Sequence, residues 1–145
     1  MRLLIGTYLL VCSTLALAWS SPQQALDEFL KFELAGGRLA AWDFKKYLAV
    51  DKDYDDPGWD EIHLVKQHRV IDLKCNAHEC LGRVEISFAP TQKLTADQLV
   101  PHPKGGKALL RYHVVRQGKQ WLLTHPGGQP LVKIDVYQRW KMQHK

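Results

Sequence analysis

Cysteine is scarce in this sequence, which has 3 among 145 residues. Cys75, His78 and Cys80 lie close together, but they leave a tetrahedral zinc ion one ligand short. The spacing also argues against a redox pair, because redox motifs place two residues between their cysteines. We therefore expect neither a metal nor redox chemistry at this point of the chain.

A complete calcium loop is also lacking. The acidic segment at 51–61 begins like one, with Asp at alternate positions. Its sixth position, where calcium loops need Gly, is Asp56, and its twelfth, where they need a bidentate Glu, is Ile62. The segment is better explained as a solvated turn around Pro57 and Gly58, so we expect no metal and no cofactor.

The chain has no internal repeat, no low-complexity tract and, after its first residues, no apolar run long enough to cross a membrane. Charge of one sign is not concentrated either, because 20 basic and 15 acidic side chains are interspersed outside the acidic segment. Nucleic-acid-binding proteins gather Lys and Arg on one element and add aromatic side chains for stacking. We therefore expect no nucleic acid among the partners.

The start of the chain has the pattern of a secretory signal. Arg2 supplies a positive charge, residues 3–17 are mostly apolar, and Ala18 completes a small-residue cleavage site. The apolar run is short for a spanning helix, which needs about 20 residues. The pattern predicts a cleaved signal peptide at 1–18 and a single domain at 19–145 that is periplasmic or secreted.

In that oxidising compartment, the pair Cys75 and Cys80 predicts a structural disulfide. The cysteines join two alternating runs, 61–74 and 80–88, that are typical of a β-hairpin. Opposed cysteines would fix its register. The pairs expected on the cysteine face are Leu73–Gly82, Ile71–Val84, Arg69–Ile86 and Gln67–Phe88, and those on the reverse face are Asp72–Arg83, Val70–Glu85 and His68–Ser87.

This register turns Arg69 and Gln67 toward the apolar side of the hairpin, where a charge is costly unless it is paired or solvated. One interpretation is that they form the polar end of a pocket for an anionic ligand, joined by Tyr112 and Gln138 from later strands. The alternative is a β-bulge near Arg69 that shifts the register and turns this side chain to solvent.

Helical signals precede the hairpin. Ser21 as N-cap, Pro22 at the first helical position and Gly36 at the end predict a first helix, and a second is expected over 39–48.

Further strands are expected after the hairpin. The turn at Gly118 favours a second hairpin, and alternation over 132–142 favours a final strand. The expected pairs of the second hairpin are Tyr112–His125, Val114–Leu123, Val115–Leu122 and Arg116–Trp121.

Two N-terminal helices followed by four or five long strands predict an α+β fold, with the helices packed on one face of a curved antiparallel sheet. This order resembles the cone-shaped NTF2-like superfamily, which shares its layout with cystatins. The resemblance rests on the segments Gln120-Trp121-Leu122-Leu123, Pro130-Leu131-Val132-Lys133-Ile134 and Gln138-Arg139-Trp140. It implies a pocket inside the cone, where ketosteroid-isomerase-like enzymes place a general-base aspartate and a tyrosine or acid donor.

The expected inward positions of this chain hold no carboxylate, so His125 is left as the proton acceptor beside Tyr112. We therefore prefer a non-catalytic module that binds a small molecule or an envelope protein. The alternative is a pocket enzyme, an isomerase or hydrolase that uses Tyr112 and His125. A third class is a structural or inhibitory module that binds a partner through a sheet edge or the 95–107 loop.

Overall fold

The structure is a computed structural model that describes residues 19–40, 42–49, 62–90 and 105–143. The predicted signal peptide, the acidic segment and most of the 95–107 loop lie outside these ranges. Within them, every helix is too short or too polar to cross a membrane.

The helices near the start follow local signals. Helix α1 (Pro22–Leu34) is confirmed, and its N-cap is Ser21, whose hydroxyl oxygen accepts a hydrogen bond from the Gln24 amide at 3.1 Å. The expected second helix is instead divided between α2 (Gly37–Ala40) and a 3-10 helix (Trp42–Tyr47).

Five strands form one curved mixed sheet in the order β4-β3-β2-β1-β5. Their bounds are β1 His63–Cys75, β2 Glu79–Phe88, β3 Gly106–Gln117, β4 Gln120–Leu123 and β5 Leu131–Lys133. The first four are joined in antiparallel pairs, but β5 runs parallel to β1. The α+β class is observed, whereas the expectation of a purely antiparallel sheet is wrong.

The expected final strand is also wrong beyond Lys133, because the chain turns there into helix α3 (Ile134–Gln143). Only three residues of β5 pair with β1, and the helix then buries Tyr137 against Leu64 and Val132. Trp140 is 44% exposed, and its ring stacks on that of Tyr137 with the centroids 6.0 Å apart.

The register of the first hairpin is confirmed near the disulfide and shifts farther away. Cys75–Cys80, Leu73–Gly82 and Asp72–Arg83 pair as expected, but Ile71 is left unpaired. A second shift lies between Val65 and Gln67. Five expected pairs are therefore wrong, and the observed ones are Val70–Val84, Arg69–Glu85, His68–Ile86, Gln67–Ser87 and Val65–Phe88.

The register of the second hairpin is largely confirmed. Val114–Leu123, Val115–Leu122 and Arg116–Trp121 pair as expected. The expected pair Tyr112–His125 is not formed, because β4 ends at Leu123 and His125 lies in the bend that follows.

The core lies between α1 and the inner face of the sheet, which carries Val84 and Ile86 of β2 and Val114 of β3. Close approach of the helix depends on Gly82, where a Cβ atom would lie 2.8 Å from the Leu26 side chain. Helix α1 packs mainly over β3, β4 and β5, and the contact at Gly82 sets its approach to β2.

Candidate functional site

A groove of about 490 Å³ opens between α1, β1 and α3. Its apolar wall consists of Leu30 and Leu34 from α1, Ala35 at the end of that helix, and Val136 from α3. The polar and charged side chains that line it are Asp27, Lys31, His68, Lys133, Asp135 and Arg139. An apolar wall with a few polar groups and a volume of several hundred Å³ is typical of small-molecule sites.

His68 is the titratable group on the sheet side of this groove. The shift at Ile71 places it opposite Ile86, so its side chain is on the face that packs against α1. Partial burial lowers the pKa of His68, and the nearby charge of Lys133 lowers it further, while the Asp27 carboxylate acts in the opposite direction. The imidazole is therefore neutral at pH 7 and carries both a donor and an acceptor.

The charges at the rim of the groove differ in how they are paired. Arg139 contacts Asp135 at 3.1 Å on the same helix, and Lys31 lies 3.9 Å from Glu28. Lys133 makes no ion pair with any residue that the structure describes. Its ammonium group is therefore the cation most available to a ligand in the groove.

The structure brings two of the predicted binding residues together, but on the outer face of the sheet. Arg69 and Gln67 line a polar depression of about 310 Å³ with Glu85, Ser87 and Lys107. The Arg69 side chain is 69% exposed, and both Arg69 and Lys107 reach the same Glu85 oxygen at 3.4 Å. The bulge interpretation is therefore confirmed, and the interpretation in which Arg69 points inward is wrong.

The other predicted site residues lie apart from these two. Gln138 is exposed on α3, and Tyr112 is 1% exposed in the core, with its ring 6.0 Å from that of Phe29. Burial raises the pKa of the Tyr112 hydroxyl, and Glu33 raises it further. His125 is exposed, and its Nδ1 accepts a hydrogen bond from the Gly127 amide at 3.2 Å.

A buried ion pair between Glu33 and Arg38 lies beside the start of β5. Arg38 Nη1 donates to Glu33 Oε1 at 3.2 Å and to the Gly128 carbonyl at 3.0 Å. The Leu131 amide donates to the same Glu33 oxygen at 3.0 Å. These contacts fix the start of β5, and hence Lys133, relative to α1.

The predicted disulfide joins Cys75 and Cys80 across the first hairpin. The turn between them is held by Asn76, whose Oδ1 accepts hydrogen bonds from the amides of His78 and Glu79, each at 2.9 Å. Within the described ranges, no group of three or more His, Cys, Asp or Glu side chains is arranged to hold a metal ion.

Sequence reasoning missed His68 and Glu33 for different reasons. The signal for His68 was that Leu64 lies on the opposite phase from Val65 and Ile71, which indicates a register shift in this strand. The signal for Glu33 was a carboxylate on the same helical stripe as Leu26 and Leu30. Neither signal identifies the contacts across the fold, because Leu131, which bonds to Glu33, and Lys133, which lies near His68, are distant in sequence.

Comparison with known proteins adds no relative: no protein family model, no curated protein and no solved structure matches this chain.

Proposed function

We propose that this protein is an exported, non-catalytic binding module of NTF2-like type whose ligand site is the groove between α1 and α3. The observation that carries the proposal is the position of His68 and Lys133 beside an apolar wall in a groove of about 490 Å³. The ligand class that fits is a small molecule with an anionic end and an apolar body.

The two parts of such a ligand meet different walls of the groove. Lys133 supplies a charge that no described residue neutralises, and His68 supplies a hydrogen-bond donor beside it. Apolar surface comes mainly from Ala35 and Val136, since Leu30 and Leu34 are each 2% exposed, and burial there contributes about 25 cal/mol per Å² of ligand area removed from water. A bound anion also stabilises the protonated form of His68, so affinity should increase as the pH falls toward 6.

The alternative of a pocket enzyme has less support. Tyr112 is buried beside the Phe29 ring, and burial, followed by the charge of Glu33, raises the pKa of its hydroxyl away from the range useful for proton transfer at neutral pH. His125 lies at the surface in a bend rather than opposite Tyr112.

The test uses protein purified after export. Native mass spectrometry reports the intact mass and any ligand that remains bound. NMR titration then compares decanoate with the uncharged decanol as probes. We expect decanoate to shift the backbone amides of α1, β5 and α3, with decanol at least about tenfold weaker because it lacks the charge.

A pair of charge reversals makes the titration specific. Lys133→Glu should weaken decanoate binding by about tenfold or more, whereas Lys74→Glu, on the exposed outer face, should leave it unchanged. Equal weakening by the two variants, or shifts confined to the Arg69 depression, would contradict the groove as the site. Decanoate that causes no shift at all would contradict this ligand class.

A further inference from the structure

One side of strand β3 is open along half of its length. The strand runs from Gly106 to Gln117, but β4 pairs with residues 114–117 alone. A hydrogen bond from the Thr124 amide to the His113 carbonyl, 3.0 Å long, extends this pairing by one residue. Among the residues that the structure describes, 106–112 thus have β2 on one side and no strand on the other.

Two hydrogen bonds show which backbone groups face this open edge. The Arg116 amide donates to the His78 carbonyl at 2.8 Å, so residue 116 points toward β2. Because the register between β2 and β3 has no shift, every second residue before it does the same. His113 points the other way, toward Thr124. Lys107, Leu109 and Arg111 lie an even number of residues before His113, so their backbone N–H and C=O groups also point away from β2. These groups therefore face the open edge.

The side chains of the same three residues lie on the outer face of the sheet. Their neighbours on the other face include the buried Tyr112, whereas Leu109 is 48% exposed between two exposed cations. The edge therefore presents an apolar side chain flanked by Lys107 and Arg111.

The charge around this edge is positive. Three rows of outward-facing side chains end at this edge, and each row takes one residue from β1, one from β2 and one from β3. The rows are Gln67–Ser87–Lys107, Arg69–Glu85–Leu109 and Asp72–Arg83–Arg111. They hold four cations and two carboxylates. Asp72 is bonded to Arg83, and Glu85 is shared between Arg69 and Lys107. Arg111 makes no ion pair with a described residue, so the edge keeps positive charge for a partner.

We propose that this edge is a docking site for an acidic, extended peptide segment of another protein, which adds to β3 as an antiparallel strand. Backbone hydrogen bonds to Lys107, Leu109 and Arg111 supply affinity, and side chains supply specificity. The fitting segment has an apolar residue opposite Leu109 and carboxylates opposite Lys107 and Arg111. A second copy of this chain fits poorly, because antiparallel pairing centred on Leu109 sets Lys107 against Arg111. The proposal does not depend on the groove, which has other residues.

Amide hydrogen exchange of the exported protein, followed by NMR, tests the proposal. In the free protein, the amides of Lys107, Leu109 and Arg111 should exchange much faster than those of Ala108 and Leu110, which bond to β2. The acidic probe peptide is acetyl-Glu-Thr-Val-Thr-Glu-amide. The basic control peptide has the same sequence with Lys in place of both Glu residues. We expect the acidic peptide to slow exchange of the three amides by about fivefold or more at saturation, and the basic peptide to have no effect.

Two variants separate binding from folding. Leu109→Pro removes an amide that β2 does not use, so it should abolish the effect of the peptide in a folded protein. If that variant fails to fold, the double variant Lys107→Glu/Arg111→Glu tests the proposal instead. Its edge is acidic, so the basic peptide should slow exchange more than the acidic one. Slow exchange in the free protein would show that the edge is already covered and would overturn the proposal. Equal effects of the two peptides, no effect of either, or protection that depends on protein concentration would overturn it as well.

Discussion

His68 lies directly opposite Ile86 in the first hairpin, on the face of the sheet that packs against α1. One unpaired residue, Ile71, is responsible, because a shift of one position exchanges the faces of the residues beyond it, as far as the second shift between Val65 and Gln67. Without it, Arg69 would occupy the inner face and His68 would lie in solvent. The bulge therefore decides which polar side chain enters the groove.

The position of His68 predicts a pH dependence of stability. Its pKa is lower in the folded protein than the value of about 6.5 expected in the unfolded chain, because partial burial and Lys133 disfavour the charged form. Above about pH 6.5 both states are neutral, so His68 contributes nothing. As the pH falls below 6.5, the unfolded chain binds the proton first, and stability should decrease until the folded pKa is passed.

Urea unfolding of wild type and His68→Asn between pH 7.5 and 5 measures this effect. The variant should lose less stability than wild type over that interval. The pKa of His68 can also be measured from the pH dependence of its ring-proton shifts by NMR. Two variants should change this pKa in opposite directions: Lys133→Gln should raise it and Asp27→Asn should lower it. The same pH dependence in wild type and His68→Asn would show that another group is responsible.

Glu33→Gln should destabilise the protein by about 3 kcal/mol, because it leaves the buried Arg38 guanidinium without its counter-charge. Glu28→Gln on the same helix is the matched control. Its contact with Lys31 is 3.9 Å long and exposed, so its loss should cost less than about 0.5 kcal/mol. Urea denaturation of both variants gives the comparison, and similar midpoints would contradict the importance of the buried pair.

Gly127→Ala should destabilise the protein by about 1 to 2 kcal/mol, because Gly127 has a φ of +82° that an L side chain rarely adopts. Its Cβ atom would also lie 3.3 Å from the Tyr112 ring. Gly128→Ala, the adjacent control, meets nothing within 4 Å and should change stability little. Thermal unfolding followed by circular dichroism distinguishes them, and an unchanged Gly127→Ala midpoint would refute the expected strain.

Cys75→Ser should lower stability by about 2 kcal/mol without preventing folding, because a short closed loop constrains the unfolded chain modestly. Cys75 is the better site for the substitution, since Cys80 is buried and a serine there would also place a hydroxyl in the core. Reduced wild-type protein is the comparison without any mutation. If oxidised and reduced wild type melt at the same temperature, the disulfide does not stabilise the fold.

The sequence by itself determined the features that depend on near neighbours. Ser21 caps α1 through an amide three residues away, and the turn at Gly118 sets the pairs of the second hairpin. Cys75 and Cys80 fix the register of the first hairpin as far as Asp72, because a short turn and a disulfide leave no other pairing.

Tertiary structure alone decided the rest. A bulge costs little locally, so its place at Ile71 depends on which side chains α1 and α3 can bury, and these contacts join residues distant in sequence. Alternation after Lys133 also fitted a strand, but the chain became a helix that buries Tyr137. The groove depends on both the bulge and the helix, because the bulge turns His68 inward and α3 forms one of the groove's walls.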